Sequence, residues 1–436
     1  MAYYKVQDAA VRQFGKRHRM PPPAETAKVM PLHTKQASPV LKRVARGDLC
    51  SGCGGCAAIA PHAIAMAENA DGFLRPSQTD VVSKTEDDLF AKTCPGLVQE
   101  VDAHGRTDDP LWGPYIAMHS GAATDAELRF AGASGGGLSA LAAWLISSGT
   151  VEAVVQVAAD PDRAVGNIAT ISRTREDVLA AAGSRYAPAS PLSILPDIPS
   201  DIKKLAFIGK PCDAAALRAR AANDPAIAAR FPVILSFFCA GTPSLKGAEA
   251  VLAALETSPP DAAAFRYRGN GWPGQATVTR TDGTTSAMSY HDSWGEILSK
   301  HVQHRCKICA DGTGVAADIV CADAWESDAA GYPLFEEADG SSLIVARTAK
   351  GVDLLAQAKA AGVLTLAPFA VPTLAAIQPG QRNRRRALAA RLAALRLTGR
   401  PVPRYRGLKI LAAARQAGPK ALLRNFLGTL RRTLSR

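Results

Sequence analysis

The sequence predicts an α/β protein with parallel-paired strands, preceded by a cysteine-rich segment and followed by a basic helical tail. Three observations predict it. Apolar strand-like runs alternate with Ala/Leu-rich helical runs between about residues 117 and 375. Three cysteines crowd into Cys50-Ser51-Gly52-Cys53-Gly54-Gly55-Cys56, and a fourth follows at Cys94-Pro95. From Arg382 to Arg436 there are sixteen Lys or Arg and no Asp or Glu.

Taken in chain order, residues 1–44 read as a loosely packed or disordered arm, with basic residues and a Pro21-Pro22-Pro23 run. Residues 45–115 carry the first cysteines. Residues 116–375 read as the catalytic α/β domain. In it, one grammar recurs: an apolar approach, a small-residue loop, then a helix. It appears in "RFAGASGGGLSALAAWLISSG", in "KLAFIGKPCDAAALRARAA" and in "FPVILSFFCAGTPSLKGAEAVLAALE". Loops after parallel strands share one sheet edge, where ligands bind. The loops at Gly135-Gly136-Gly137, Gly209-Lys210-Pro211-Cys212 and Cys239-Ala240-Gly241-Thr242-Pro243 are therefore expected to converge. "AAFRYRGNGWPGQATVTRTDG" reads as β-rich, and "GSSLIVARTAKGVDLLAQAKAAG" as a closing strand–helix unit. Residues 376–436 form the basic tail.

Composition narrows the class. The chain has 436 residues and 47% hydrophobic content, enough for a sizeable core. No apolar run reaches the ~18 residues of a membrane-spanning helix, and no signal-peptide core opens the chain. A cytoplasmic protein is expected, with the inner-membrane surface as a peripheral location. The formal net charge is +12, and the tail carries all of the excess, leaving the rest at about −4. The nine cysteines are odd in number and clustered, which argues against a disulfide framework and for ligation.

The C-x2-C-x2-C spacing of Cys50, Cys53 and Cys56 with a remote Cys94-Pro95 is a ferredoxin-like arrangement for a [4Fe–4S] cluster. Intervening glycines let the backbone turn and bring amide groups toward sulfur. A structural zinc site of four cysteines is the alternative, although zinc sites usually pair two C-x2-C halves. A second group follows at Cys306-Lys307-Ile308-Cys309. A second cubane could draw four ligands from Cys212, Cys239, Cys306, Cys309 and Cys321, while Cys212 and Cys239 could equally be buried small side chains. The loop "GASGGG" opens a helix and suits a phosphate, or is a plain turn. Cys212 stands at a helix start, which lowers a thiol's pKa. Tyr186 and Tyr267 read as packing aromatics, and Arg266 and Arg268 face an anionic ligand or water. The tail interleaves apolar and basic positions at helical spacing. Packing on the body with weak membrane association is favoured over nucleic-acid binding.

These segments together resemble the beta-subunit family of coenzyme F-420 (F420) hydrogenases and dehydrogenases, including its divinyl chlorophyllide reductase and hydroxymethyl chlorophyll reductase branches. "CSGCGGC", "TCPG", "GASGGGLSALAAWLISSGTVEAVV", "AFIGKPCDAAALR", "FFCAGTPS", "FRYRGNGWPG" and "HRCKICADGTGVAADIVCADAW" stand in the family's order over about residues 45–370. The resemblance implies a flavin-binding core with FAD and at least one [4Fe–4S] cluster. It implies Ser134, Gly135 and Gly136 by the flavin nucleotide, and Gly209, Lys210, Pro211 and Cys212 near the isoalloxazine. Lys210 replaces a threonine common in relatives. Cys321 replaces a glycine, and with Cys239, Cys306 and Cys309 it is taken as a second-cluster ligand. The implied function is electron transfer between FAD and the clusters, with F420 or another two-electron carrier. A ferredoxin, a hydrogenase- or dehydrogenase-type subunit, or a deazaflavin is the implied partner. The alternatives are a ferredoxin-dependent reductase of a tetrapyrrole or other unsaturated substrate, and a zinc-stabilised binding protein with a polyanion-binding tail. A redox subunit of a carbohydrate-modifying or membrane-bound complex is a third.

Overall fold

The computed structural model describes residues 36–324 and 339–435. The first 35 residues of the expected arm, and Trp325 at the end of the second cysteine motif, lie outside the described residues. The rest of that arm is ordered. Pro39–Arg46 is a helix, capped by Ser38 and burying Leu41 and Val44.

One eight-stranded sheet organises the chain. Its strands, in chain order, are β1 (Ala117–Ala123), β2 (Ala153–Ala159), β3 (Asn167–Ser172), β4 (Leu205–Gly209), β5 (Val233–Phe237), β6 (Ile319–Asp323), β7 (Ser342–Ala346) and β8 (Leu364–Pro368). Their spatial order is β8-β1-β7-β6-β5-β4-β2-β3. The four central strands, β6, β5, β4 and β2, pair in parallel. The flanks are antiparallel. Parallel pairing thus holds for the middle of the sheet and fails at its wings. The reason is visible at β2–β3, which are joined by residues 160–166 only. A parallel crossover needs a dozen residues or more.

Alternation along the strands builds a core on each face. Phe207, Ile234, Val320 and Val345 face one layer, with Ala214 and Leu217 of α1 (Pro211–Asn223). Ala206, Leu235, Ile319 and Ile344 face the other. There they meet Leu141 and Leu145 of the helix Gly137–Ser147, and Leu354 and Leu355 of the helix Ala349–Ala360. The "RFAG" approach expected to be strand-like is instead the end of a short helix, Ala126–Ala131, which Asp125 caps; the strand lies upstream at β1. The predicted β-rich piece is a three-stranded antiparallel sheet of Ala262–Arg266, Gln275–Arg280 and Thr285–Ser289.

The cysteine-rich segment has a short helix Gly55–Ile59, an antiparallel hairpin Ile64–Glu68/Leu74–Gln78 and a helix Lys84–Thr93 closed by a Ser83–Glu86 capping box. The tail is not a free extension. Its helix α2 (Pro379–Leu397) buries Leu388, Leu392 and Leu395 against Val44, Leu49, Ile308 and Ala310. Arg404–Arg406 adds a parallel strand to Val98–Glu100.

Candidate functional site

The loop after β4 and the loop after β5 meet at one edge of the sheet, as parallel strands require. Ser236 Oγ donates to Gly209 O at 2.8 Å. The glycine-rich loop lies along the same edge: Ser134 Oγ donates to Ala322 O at 3.3 Å and to Ser341 O at 3.0 Å. Ser134 therefore stands at the end of β6 and Lys210 at the end of β4, two strands apart. At strand spacing that is about 10 Å.

Eight of the nine cysteines fall into two groups of four. The thiols of Cys50, Cys53, Cys56 and Cys94 feel one another's charge. Cys212 and Cys239 likewise lie within reach of each other and of Cys306, and Cys239 within reach of Cys309. All are unpaired thiols and half-buried. Burial pushes Cys53 up to about 12 and Cys94 up to about 11, with neighbouring thiols adding to the shift. The Cys94 turn reaches the first group through a close approach at Gly96, where a Cβ would lie 2.5 Å from Leu49 O.

Cys321 does not join either group. It lies in the packed face of β6 with Ile319 and Ile344, and burial alone pushes its thiol up to about 12. Strand alternation explains this: Cys321 shares its face with Ile319, turned into the helix layer. Cys212, expected by the flavin, takes the fourth place in the second group. Burial outweighs its position at the start of α1. Burial raises its pKa well above the ordinary thiol value, and Asp213 adds to that.

Peptide and side-chain donors surround the thiols. Gly52 N–H donates to Cys50 Sγ at 3.4 Å, and Thr242 N–H to Cys306 Sγ at 3.4 Å. Gln303 Nε2 donates to Cys306 Sγ at 3.5 Å. Such donors stabilise metal-bound thiolate. Among the described residues, no three His, Cys, Asp or Glu groups draw together tightly enough to hold one metal ion. Four thiolates on one zinc, each about 2.3 Å from it, lie within ~4 Å of one another. A cubane spreads its ligands over four irons, so its thiolates stand farther apart. An all-thiol donor set is the ligand chemistry of an iron–sulfur cluster.

Lys210 is held by an ion pair to Asp213, with Nζ to Oδ2 at 2.7 Å. Burial opposes the ammonium charge, but Asp213 and the thiols of Cys212 and Cys239 outweigh it and raise its pKa. Around Asp323 at the end of β6, Arg268 forms an ion pair at 3.0 Å and lies over the rings of Trp272 and Tyr290. Tyr267 is buried and donates to Val165 O at 2.7 Å, which makes it the packing aromatic expected. The glycines of the 132–137 loop answer a packing need. Gly135 and Gly136 have φ of +70° and +67°, and a Cβ on Gly136 would lie 2.5 Å from Leu128 O. Gly137 N–H is already engaged by Ser342 Oγ at 3.3 Å.

Some site residues carry no signal in the sequence. Gln381 of α2 donates to Cys239 O at 2.9 Å, and Arg384 to Ala240 O at 2.8 Å. Arg391 donates to Lys307 O at 2.8 Å. The tail thus clamps the second thiol group. Only the basic, amphipathic pattern of α2 hints at such a role.

Comparison with known proteins accords with this layout. Profiles for the "Coenzyme F420 hydrogenase/dehydrogenase, beta subunit" N-terminus and C terminus match residues 118–196 and 202–371. The chain belongs to the coenzyme F420 hydrogenase/dehydrogenase beta subunit family. This is a family of oxidoreductases. One relative, the coenzyme F420 hydrogenase subunit beta of Methanococcus voltae, is 26% identical over 271 residues, covering 58% of this chain and 84% of that protein. A solved chain of the F420-reducing [NiFe] hydrogenase complex from Methanosarcina barkeri matches with a TM-score of 0.52 and 21% identity. That match covers 68% of this chain and 98% of the other, and it shows a shared fold. Within the family framework, the second thiol group lies inside the residues the profiles match, and the first group and α2 lie outside them. No described helix is long and apolar enough to cross a membrane.

Proposed function

We propose that this family member is an iron–sulfur flavoprotein subunit that moves electrons between a two-electron carrier of the F420 type and [4Fe–4S] centres. The observation that carries the reading is the sorting of eight thiols into two all-cysteine groups at one edge of the sheet. Cys50, Cys53, Cys56 and Cys94 would hold one centre, and Cys212, Cys239, Cys306 and Cys309 the other. FAD would lie along the edge between Ser134 and Lys210. When bound, it converts a hydride into single electrons, which a cubane accepts one at a time.

The chain's own residues set the conditions for this. Gly52, Thr242 and Gln303 donate hydrogen bonds to thiol sulfur, stabilising it as thiolate. Lys210 keeps a positive charge beside Cys212 and Cys239. The helix α2 holds the Cys239 loop in place through hydrogen bonds from Gln381 and Arg384 to Cys239 O. A hydrogenase- or dehydrogenase-type subunit is the proposed partner, because the similar chains come from such proteins. The outward leucines and arginines of the last helix support a peripheral contact with an anionic membrane surface.

The test is anaerobic purification of the full chain. The expected result is a brown protein with flavin absorbance, about four iron and four sulfide per centre, and bleaching by reduced F420. A colourless protein that binds zinc would overturn the reading.

A further inference from the structure

The segment between Val302 and Cys306 lies by the second thiol group and sends two side chains to the first. Gln303 is buried, and its side-chain amide does two things. It donates to Cys306 Sγ at 3.5 Å and to Ser51 O, beside Cys50, at 3.4 Å. Its Oε1 accepts from Arg75 Nη1 at 3.1 Å, and Arg75 pairs with Asp48 at 3.2 Å. Two residues on, Arg305 is 2% exposed. Its Nη2 donates to Pro95 O, beside Cys94, at 2.7 Å. Nη2 also reaches Gln99 Oε1 at 3.3 Å, and Nη1 reaches Tyr405 OH at 3.0 Å.

Every one of these partners of Arg305 is neutral, and among the described residues its Nε is buried without a partner. A buried guanidinium with no carboxylate counter-ion is costly to keep in a fold. What surrounds it instead is thiol. Its charge acts on Cys50 and Cys94 of one group and on Cys212, Cys306 and Cys309 of the other. Ionised by iron, those thiolates supply the missing negative charge. A fixed positive charge next to a redox centre favours the form carrying the extra electron, and more strongly where the dielectric is low.

We propose that Gln303 and Arg305 form a bridge that links the two thiol-held centres, with Arg305 raising the reduction potential of both and Gln303 that of the Cys306 centre. The proposal rests on the iron–sulfur reading above and adds residues to it. Both are positioning residues. Neither gains nor loses a proton or a bond; one electron leaves one centre and enters the other. The bridge joins a thiol group inside the family-matched residues to one outside them.

The test is a redox titration of the anaerobic full chain, read by EPR, with Cys56→Ser and Cys309→Ser assigning each signal. Iron analysis comes first, because a wild-type chain without iron and sulfide overturns the iron–sulfur reading together with this one. With both centres present, Arg305→Gln is expected to shift both midpoint potentials to more negative values. Arg305→Lys, which keeps the charge, is expected to leave both near wild type. Gln303→Leu is expected to lower the Cys306 centre alone. The bridge is overturned, with the iron–sulfur reading intact, if Arg305→Gln moves neither potential or only one, or if Arg305→Lys shifts them as far as Arg305→Gln does. Should Arg305→Gln fail to load iron, Gln303→Leu decides: an unchanged potential at the Cys306 centre overturns the bridge.

Discussion

Cys53 and Cys321 are both thiols that burial pushes up to about 12, yet their surroundings differ in kind. Cys53 sits among other thiols and near Asp213, whereas Cys321 packs in the apolar face with Ile319 and Ile344. Cys53→Ser is therefore expected to remove about half of the bound iron, the share of one of two equal clusters. Cys321→Ala is expected to retain all of it. Equal iron loss in both variants would refute the assignment of ligands. The same shifts fix a pH dependence for the iron-free, reduced chain. Its Cys53 and Cys94 stay protonated up to about 12 and about 11, while the unfolded chain releases these protons near 9. Stability is thus full below about pH 9 and falls as pH rises from there through the folded values. A melting-temperature series from pH 7.5 to 11 is expected to slope downward above 9 for the iron-free chain. The iron-loaded chain, whose ligand thiols are already ionised, is expected to show a shallower slope, because Cys321 is not a ligand and still releases its proton.

At the scale of elements, the turn into the helix Gly137–Ser147 decides how the glycine-rich loop meets the sheet. Gly136 is its cap, in a left-handed conformation with Leu128 O too close for any side chain. Gly136→Ala is expected to cost about 1–3 kcal/mol in denaturant unfolding. A cost near zero would mean that the loop is held some other way. The tail helix α2 shows how an element changes meaning once packed. Its sequence reads as a basic amphipathic helix, and several of its cations serve as internal donors. Arg385 is buried and donates to Pro110 O at 3.0 Å and to the carbonyls of Ala310 and Leu408. No charge count could tell such an arginine from a solvated one, because the distinction lies in which carbonyls it reaches.

At the scale of the whole molecule, described segments on either side of the family-matched residues, among them Val44 and Leu49 before and α2 after, pack together against Ile308 and Ala310 beside the second thiol group. The last helix, Pro419–Leu434, turns Leu423, Leu427 and Leu434 outward beside Lys420, Arg424 and Arg431. Apolar side chains flanked by cations suit an anionic lipid surface. Full-length protein is expected to co-sediment with phosphatidylserine-containing vesicles and not with neutral ones. Changing Leu423→Ser and Leu427→Ser together, both exposed, is expected to abolish binding without altering the melting temperature. Undiminished binding would remove the membrane contact.

The sequence by itself determined the inventory and its order. The tight spacing of Cys50, Cys53 and Cys56, the alternation of apolar strands with helices, and the confinement of basic charge to the tail are local properties, legible without a fold. The convergence of the loops after β4 and β5 was legible too, because parallel strands leave their following loops on one edge. Only the tertiary structure decided that Cys212 completes the second group and Cys321 does not, and that Arg305 stands between the two groups. These outcomes depend on strand register and on which face each side chain takes. Packing between segments a hundred or more residues apart sets both, and no local pattern records it.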